Sequence, residues 1–149
     1  MEPRISIITL GASDMGRAIR FYRDGLGFDT IAEDDADWAI FKLNGTCLSV
    51  YPKHLLAEDI SENYPKEGSG FGGITLAHNV REKEGVQQVL DQAVAAGGTV
   101  LKPAQDAFWG GFSGYFADPD GYVWEVAWSA DWKFDSNGTL WGGSLGEPG

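Results

Sequence analysis

The chain has 149 residues, with 22 Asp and Glu against 11 Lys and Arg and a formal charge of −11. That length suits one domain, or two small modules sharing a core. So acidic a balance excludes nucleic acid as a natural partner, because a phosphate backbone needs a basic face; it attracts cationic small molecules, or simply keeps the chain soluble.

In chain order, the opening MEPRISIITL carries no long apolar run behind a basic segment. No stretch reaches the ~20 apolar residues of a membrane helix, so a cytoplasmic protein without a membrane partner is expected. Arg4 to Leu10, rich in Ile, reads as a strand. Ser13 or Asp14 can cap a helix over about Asp14 to Asp24, with Met15, Ile19 and Phe21 or Tyr22 on one side and Gly25-Leu26-Gly27 ending it. Phe28 to Glu33, Trp38 to Leu43 and Thr46 to Tyr51 read as three short strands, the last two joined by the hairpin signal Asn44-Gly45. Cys47, in the third of them, is the only cysteine. No internal disulfide can form, which fits a reducing compartment, and a small apolar thiol is its default reading.

Pro52 to Gly70 turns to charged residues, Pro, Gly and Ser and reads as an exposed connector with one helical turn around Leu55 to Glu58. The second half then repeats the order of the first. Phe71 to His78 is a strand, Glu82 to Ala96 a helix, and Thr99 to Lys102 a strand. An irregular aromatic segment follows, then strands Gly114 to Ala117 and Tyr122 to Trp128. Ile8-Thr9-Leu10 recurs as Ile74-Thr75-Leu76, 66 residues on, and Asn44-Gly45 is matched by Asp120-Gly121, 76 residues on. The order of elements carries more weight than these short identities.

The stretch GYFADPDGYVWEVAW, Gly114 to Trp128, organises the second half. Asp118-Pro119-Asp120-Gly121 supplies a preset φ, two Asx side chains and a glycine for positive φ, so a tight turn is expected. Period two then sets Tyr122, Trp124, Val126 and Trp128 on one face and Val123, Glu125 and Ala127 on the other. A carboxylate within so apolar a strand is costly unless it meets water, a partner, a metal or a ligand.

Ile8-Thr9-Leu10-Gly11 with Asp14, Phe21-Tyr22-Arg23-Asp24-Gly25-Leu26-Gly27-Phe28, and Asp118-Pro119-Asp120-Gly121 with Glu125 together resemble the vicinal oxygen chelate superfamily. This is the group of glyoxalase I, extradiol dioxygenases, fosfomycin-resistance enzymes and bleomycin-resistance binding proteins. The resemblance covers about Arg4 to Trp128 and implies an α+β fold in which two βαβββ modules curl into a partial barrel around a cavity, helices outside. On that reading residues 1–149 form a single domain with modules at about 4–53 and 71–130 and a tail at 131–149. The tail's Trp132, Phe134 and Trp141 are expected to pack back over the domain while the final Gly-rich residues fray.

In metal-dependent members the resemblance implies ligands at Ile7, Ser49, Gly73 and Glu125. Isoleucine and glycine offer no donor and a serine hydroxyl is a poor one, whereas a catalytic centre commonly takes three His or carboxylate ligands. His54 falls in the connector, and His78 sits one residue off the register of Gly73, Thr75 and Ala77. No metal or other cofactor is expected. Glu125 facing inward would have Ser49, Cys47 and Tyr51 as companions, with Trp38 as a wall. The glycine-rich aromatic segment carrying Trp109, Phe112 and Tyr115 suits ligand gripping, or else completes the core or a dimer contact.

Two function classes follow. One is a metal-free protein that sequesters an aromatic or cationic small molecule, with Trp38, Ser49, Tyr51, Trp109, Phe112, Tyr115 and Glu125 as ligand-binding residues. The other is an enzyme, a glyoxalase-like lyase or isomerase or a dioxygenase, with Glu125 as catalytic base or metal ligand. A homodimer is expected from the resemblance and from outward faces rich in Trp and Phe.

Overall fold

The computed structural model describes residues 1–142. Its contacts divide the chain into two units, Met1–Ile74 and Thr75–Gly149.

In the first unit, β1 (Ile7–Ala12) leads into α1 (Met15–Arg20), where the Asp14 side chain accepts from the Arg17 amide at 2.9 Å and caps the helix. The helix widens into a π-helical segment, Phe21–Gly25, closed by Leu26 N–H donating to the Phe21 carbonyl at 2.9 Å. The wider turn carries both Phe21 and Tyr22 into the core, where the sequence periodicity offers one or the other. β2 (Ala39–Lys42) and β3 (Cys47–Pro52) follow, and the sheet order is β1-β3-β2 with β1 parallel to β3. Phe41 lies fully buried between Tyr22, at a ring separation of 5.6 Å, and Phe28, at 6.5 Å.

The strand expected at Phe28 to Glu33 reduces to a single bridge between Asp29 and Lys42. Arg23 is the cause. Its guanidinium donates to the Ala32 carbonyl at 2.9 Å and to Asp34 at 2.7 Å, while the Ala32 amide is held by Thr30 Oγ1 at 3.2 Å, so side chains satisfy the groups a ladder would use. Ile31 is left fully exposed. The single helical turn expected in the connector is longer, α2 (Lys53–Ile60), seated against β1 where Gly11 leaves room: a Cβ there would meet Lys53 at 3.0 Å.

The second unit runs β4 (Leu76–Asn79), α3 (Gly85–Ala95), β5 (Thr99–Asp106), β6 (Phe112–Ala117) and β7 (Val123–Trp128), in sheet order β4-β7-β6-β5. Again the first and last strands pair in parallel. The α+β class is therefore as the sequence implies, and the order of elements recurs except for the strand missing after α1 in the first unit. β5 runs four residues past the expected Lys102 because it is an edge strand, which tolerates Pro103, and it absorbs two register irregularities. The aromatic segment is thereby a β5–β6 hairpin turn, with Ala107 N–H donating to the Gly111 carbonyl at 2.8 Å.

The β6–β7 turn forms as its sequence dictates. Asp118 accepts from the amides of Asp120 at 3.0 Å and Tyr122 at 2.8 Å, and Gly121 takes φ +90°. Trp124 and Val126 are buried on the side of α3, whose Val86, Leu90 and Ala93 are also buried, and Phe116 stacks on Trp124 at 6.1 Å. The tail forms a hairpin of β8 (Trp132–Phe134) and β9 (Leu140–Gly142). Trp132 stacks on Trp109 at 5.5 Å and Phe134 receives Arg81 at 4.8 Å, so the tail packs on the second unit; its final residues, 143–149, lie outside those described. Among the described residues no helix is long and apolar enough to cross a membrane.

Candidate functional site

Strand alternation gives each sheet a helix-covered face and an opposite face. On the second sheet, Phe112, Gly114 and Phe116 share the side of Trp124 and Val126, whereas Ser113, Tyr115, Glu125 and Ala127 share the other. Tyr115 and Glu125 are direct partners across the β6–β7 ladder, and Ala77 of β4 is the partner of Glu125 on its far side. Both side chains are half-buried.

The Tyr115 phenol and the Glu125 carboxylate face each other across the ladder. Partial burial, then the negative charge of Glu125, hold the phenol above its ordinary pKa of 10.0, so it stays a neutral donor. A carboxylate offers about four lone-pair sites, and one phenol proton leaves the rest for a donor from outside the fold. The pair sets an acceptor beside a donor on one face of the sheet.

Sequence reasoning set Trp109 and Phe112 beside Glu125, and the structure places them elsewhere. Phe112 lies on the helix-covered side with its ring under the Lys83 ammonium at 4.6 Å, and Lys83 also reaches Asp106 at 3.1 Å. A cation that clips the start of α3 to the hairpin uses that ring. Trp109 stacks on Trp132 and covers Gly111, where a Cβ would come within 1.7 Å of the indole. Its indole closes the tail against the hairpin.

The other candidates lie in the first unit. Ser49 and Tyr51 alternate with Leu48 and Val50 on β3, and Ile40 of β2 is the ladder partner of Ser49, so Trp38, two residues before Ile40, falls on the Ser49 side. Trp38 is 52% exposed, whereas Ser49 is fully buried with its hydroxyl bonded to Thr9 Oγ1 at 2.7 Å. That bond joins β1 to β3 and spends the serine on structure.

The metal positions implied by the resemblance fare as follows. Ile7 pairs with Cys47 and carries no donor, Ser49 is engaged by Thr9, and Gly73 precedes β4 at φ +82°. Among the described residues no three His, Cys, Asp or Glu side chains gather as a metal site requires. Glu125 is the one donor of its set, so these residues do not fit a catalytic centre of the family type.

His54 is exposed on α2. His78 pairs with Val126, opposite in face to the neighbouring Ala77–Glu125 pair, and is not part of the site. His78 is exposed at the surface, yet desolvation by the surrounding protein lowers its pKa from 6.5. Unfolded chain therefore takes up this proton at a higher pH than folded chain does, and stability is lost as pH falls through 6.5 towards the lower folded value. Urea midpoints from pH 7.5 to 5 should fall less steeply for His78→Gln than for wild type; equal slopes would show that another group sets the acid limb.

One residue of the site was missed by sequence reasoning. Lys102 is the ladder partner of Tyr115 and holds its ammonium 5.8 Å from the phenol ring centroid. Pro103 made it look like the end of a strand, and the register irregularities on either side of it hide its parity.

A family model described as the Glyoxalase/Bleomycin resistance protein/Dioxygenase superfamily matches residues 4–126. Among solved structures, a glyoxalase-related enzyme from Fulvimarina pelagi is 33% identical with a TM-score of 0.80, over 93% of this chain and 96% of that one. Lactoylglutathione lyase from Agrobacterium tumefaciens is 22% identical with a TM-score of 0.65, over 91% of this chain and 100% of that one. A glyoxalase/bleomycin resistance protein/dioxygenase family enzyme from Burkholderia phytofirmans PsJN is 18% identical with a TM-score of 0.71, over 84% and 98%. The last two likenesses speak for the fold alone. No curated protein matches the chain.

Proposed function

Because the chain belongs to the Glyoxalase/Bleomycin resistance protein/Dioxygenase superfamily, we propose that it uses the family fold to bind a small molecule of aromatic and cationic character without a metal of the family type. The observation that carries this reading is the Tyr115–Glu125 pair, a half-buried carboxylate set directly opposite a phenol on one face of the sheet. An ammonium or other charged N–H group is the natural complement of that acceptor, and a charge-assisted hydrogen bond is roughly twice as strong as a neutral one. Tyr115 supplies ring surface beside it, and the charge of −11 raises the local concentration of cations. Drug sequestration needs no more than this.

A second reading is supported by the description of the Fulvimarina pelagi relative as a glyoxalase-related enzyme. A carboxylate set opposite a phenol is also a proton-transfer couple, in which Glu125 would take a proton from a bound substrate while Tyr115 steadies the carboxylate. Metal dependence and binding chemistry are both addressed by one comparison. Phenethylamine, an aromatic cation, is titrated by tryptophan fluorescence into protein as purified and into protein dialysed exhaustively against EDTA. Equal dissociation constants are expected. Loss of binding on chelation, restored by one equivalent of a divalent ion, would overturn the metal-free reading.

A further inference from the structure

The face of the second sheet opposite α3 carries more than an acceptor. Lys102 pairs with Tyr115, Tyr115 with Glu125, and Glu125 with Ala77, so one row of side chains crosses the sheet in the order β5, β6, β7, β4. Directly opposed residues point to the same side. The row therefore presents an ammonium, a phenol ring, a carboxylate and a methyl group in sequence. Its ends, Lys102 and Ala77, are exposed, and its middle is half-buried.

Three features set Lys102 apart from an ordinary surface lysine. It is the single paired residue between two register irregularities, at Val100/Lys102 and Lys102/Gln105, and such irregularities re-aim a side chain beside a site. Its ammonium leans over the Tyr115 ring instead of out along the edge strand. Among the described residues it forms no ion pair, and neither does Glu125, two strands away. Two strand spacings amount to roughly 9–10 Å between backbones, and Tyr115 stands between the two charged residues in the ladder.

We propose that the Lys102–Tyr115–Glu125 row selects a zwitterionic small molecule with a flat middle, its ammonium on Glu125, its ring along Tyr115 and its carboxylate on Lys102. The proposal rests on Glu125 being the cation anchor and adds the second charge. A carboxylate approaching a protein of charge −11 is repelled almost everywhere; Lys102 supplies the local exception. Ala77 closes the row with a side chain too small to block the ammonium end.

The test uses two probes of one framework, 4-(2-aminoethyl)benzoic acid, which is zwitterionic at neutral pH, and phenethylamine, which lacks the carboxylate. Calorimetric titration of wild type should show the zwitterion binding about tenfold tighter, the worth of one added charge-assisted contact. Lys102→Gln should reduce that preference to about one, and Lys102→Arg should retain most of it. The proposal is overturned if the zwitterion shows no preference while phenethylamine binds, or if the preference survives in Lys102→Gln. Failure of phenethylamine itself to bind removes the anchor at Glu125 and takes both readings down together.

Discussion

Phe41→Ala is expected to lower the unfolding free energy by about 3–5 kcal/mol, the range for emptying a fully buried aromatic site. Phe41 has no exposed surface and touches two rings from one earlier stretch of the chain, Tyr22 of the π-helical segment and Phe28 just after it. Tyr22 and Phe28 in turn stack at 5.9 Å. Removing the central ring leaves a cavity bordered by β2 and the π-helical segment, and the two remaining rings, Tyr22 and Phe28, cannot collapse into it without leaving their rotamers. Urea unfolding followed by circular dichroism measures the loss. A change under about 1 kcal/mol would mean that Tyr22 and Phe28 close the gap, and that this cluster does not hold the first unit together.

The same cluster shows what the sequence made legible. FYRDGLGF contributes Phe21 and Tyr22 to the core with Phe28 half-buried against Tyr22, and it also contributes Arg23, whose contacts to Asp24, Asp34 and the Ala32 carbonyl draw the following loop onto the helical segment. Periodicity located the helix, because apolar spacing is a local property. It could not foresee that a charged residue inside the motif would take the backbone partners of the strand expected after it. That competition is settled in three dimensions, and Ile31, apolar and yet exposed, is its residue-level trace.

The site was legible to the same degree. Alternation along β7 identified Glu125 as the carboxylate set against Trp124 and Val126, and the structure bears out that division of faces. Trp109 and Phe112 were grouped with it because they are aromatic and close in sequence to Tyr115. Parity separates them. β6 begins at Phe112, two residues before the expected Gly114, so alternation carried back through Gly114 points Phe112 to α3 while Tyr115 points away. The mirror case is Lys102, visible in the sequence only as the residue before a proline; its pairing with Tyr115 lies between irregularities that no periodic pattern encodes.

Glu125→Gln carries the largest expected effect on binding. The variant preserves shape, and a glutamine carbonyl can still accept the Tyr115 phenol, so the row should remain in place while its negative charge is lost. A hydrogen bond to a charged group contributes about 1.5–3 kcal/mol, which corresponds to roughly a 10- to 150-fold change in dissociation constant. That loss should fall on cations alone. Phenethyl alcohol, which replaces the ammonium of phenethylamine by a hydroxyl, should bind wild type and Glu125→Gln within about threefold of each other, since either side chain can accept its proton. Were Glu125 a catalytic base instead, the substitution would leave affinity nearly unchanged and remove turnover.

Calorimetric titration of phenethylamine and phenethyl alcohol into wild type and Glu125→Gln, at one pH and ionic strength, tests the cation anchor most directly. The account predicts that wild type prefers the amine by at least tenfold and that the preference disappears in Glu125→Gln. Equal binding of the two compounds to wild type, or a preference for the amine that persists without the carboxylate, would contradict it.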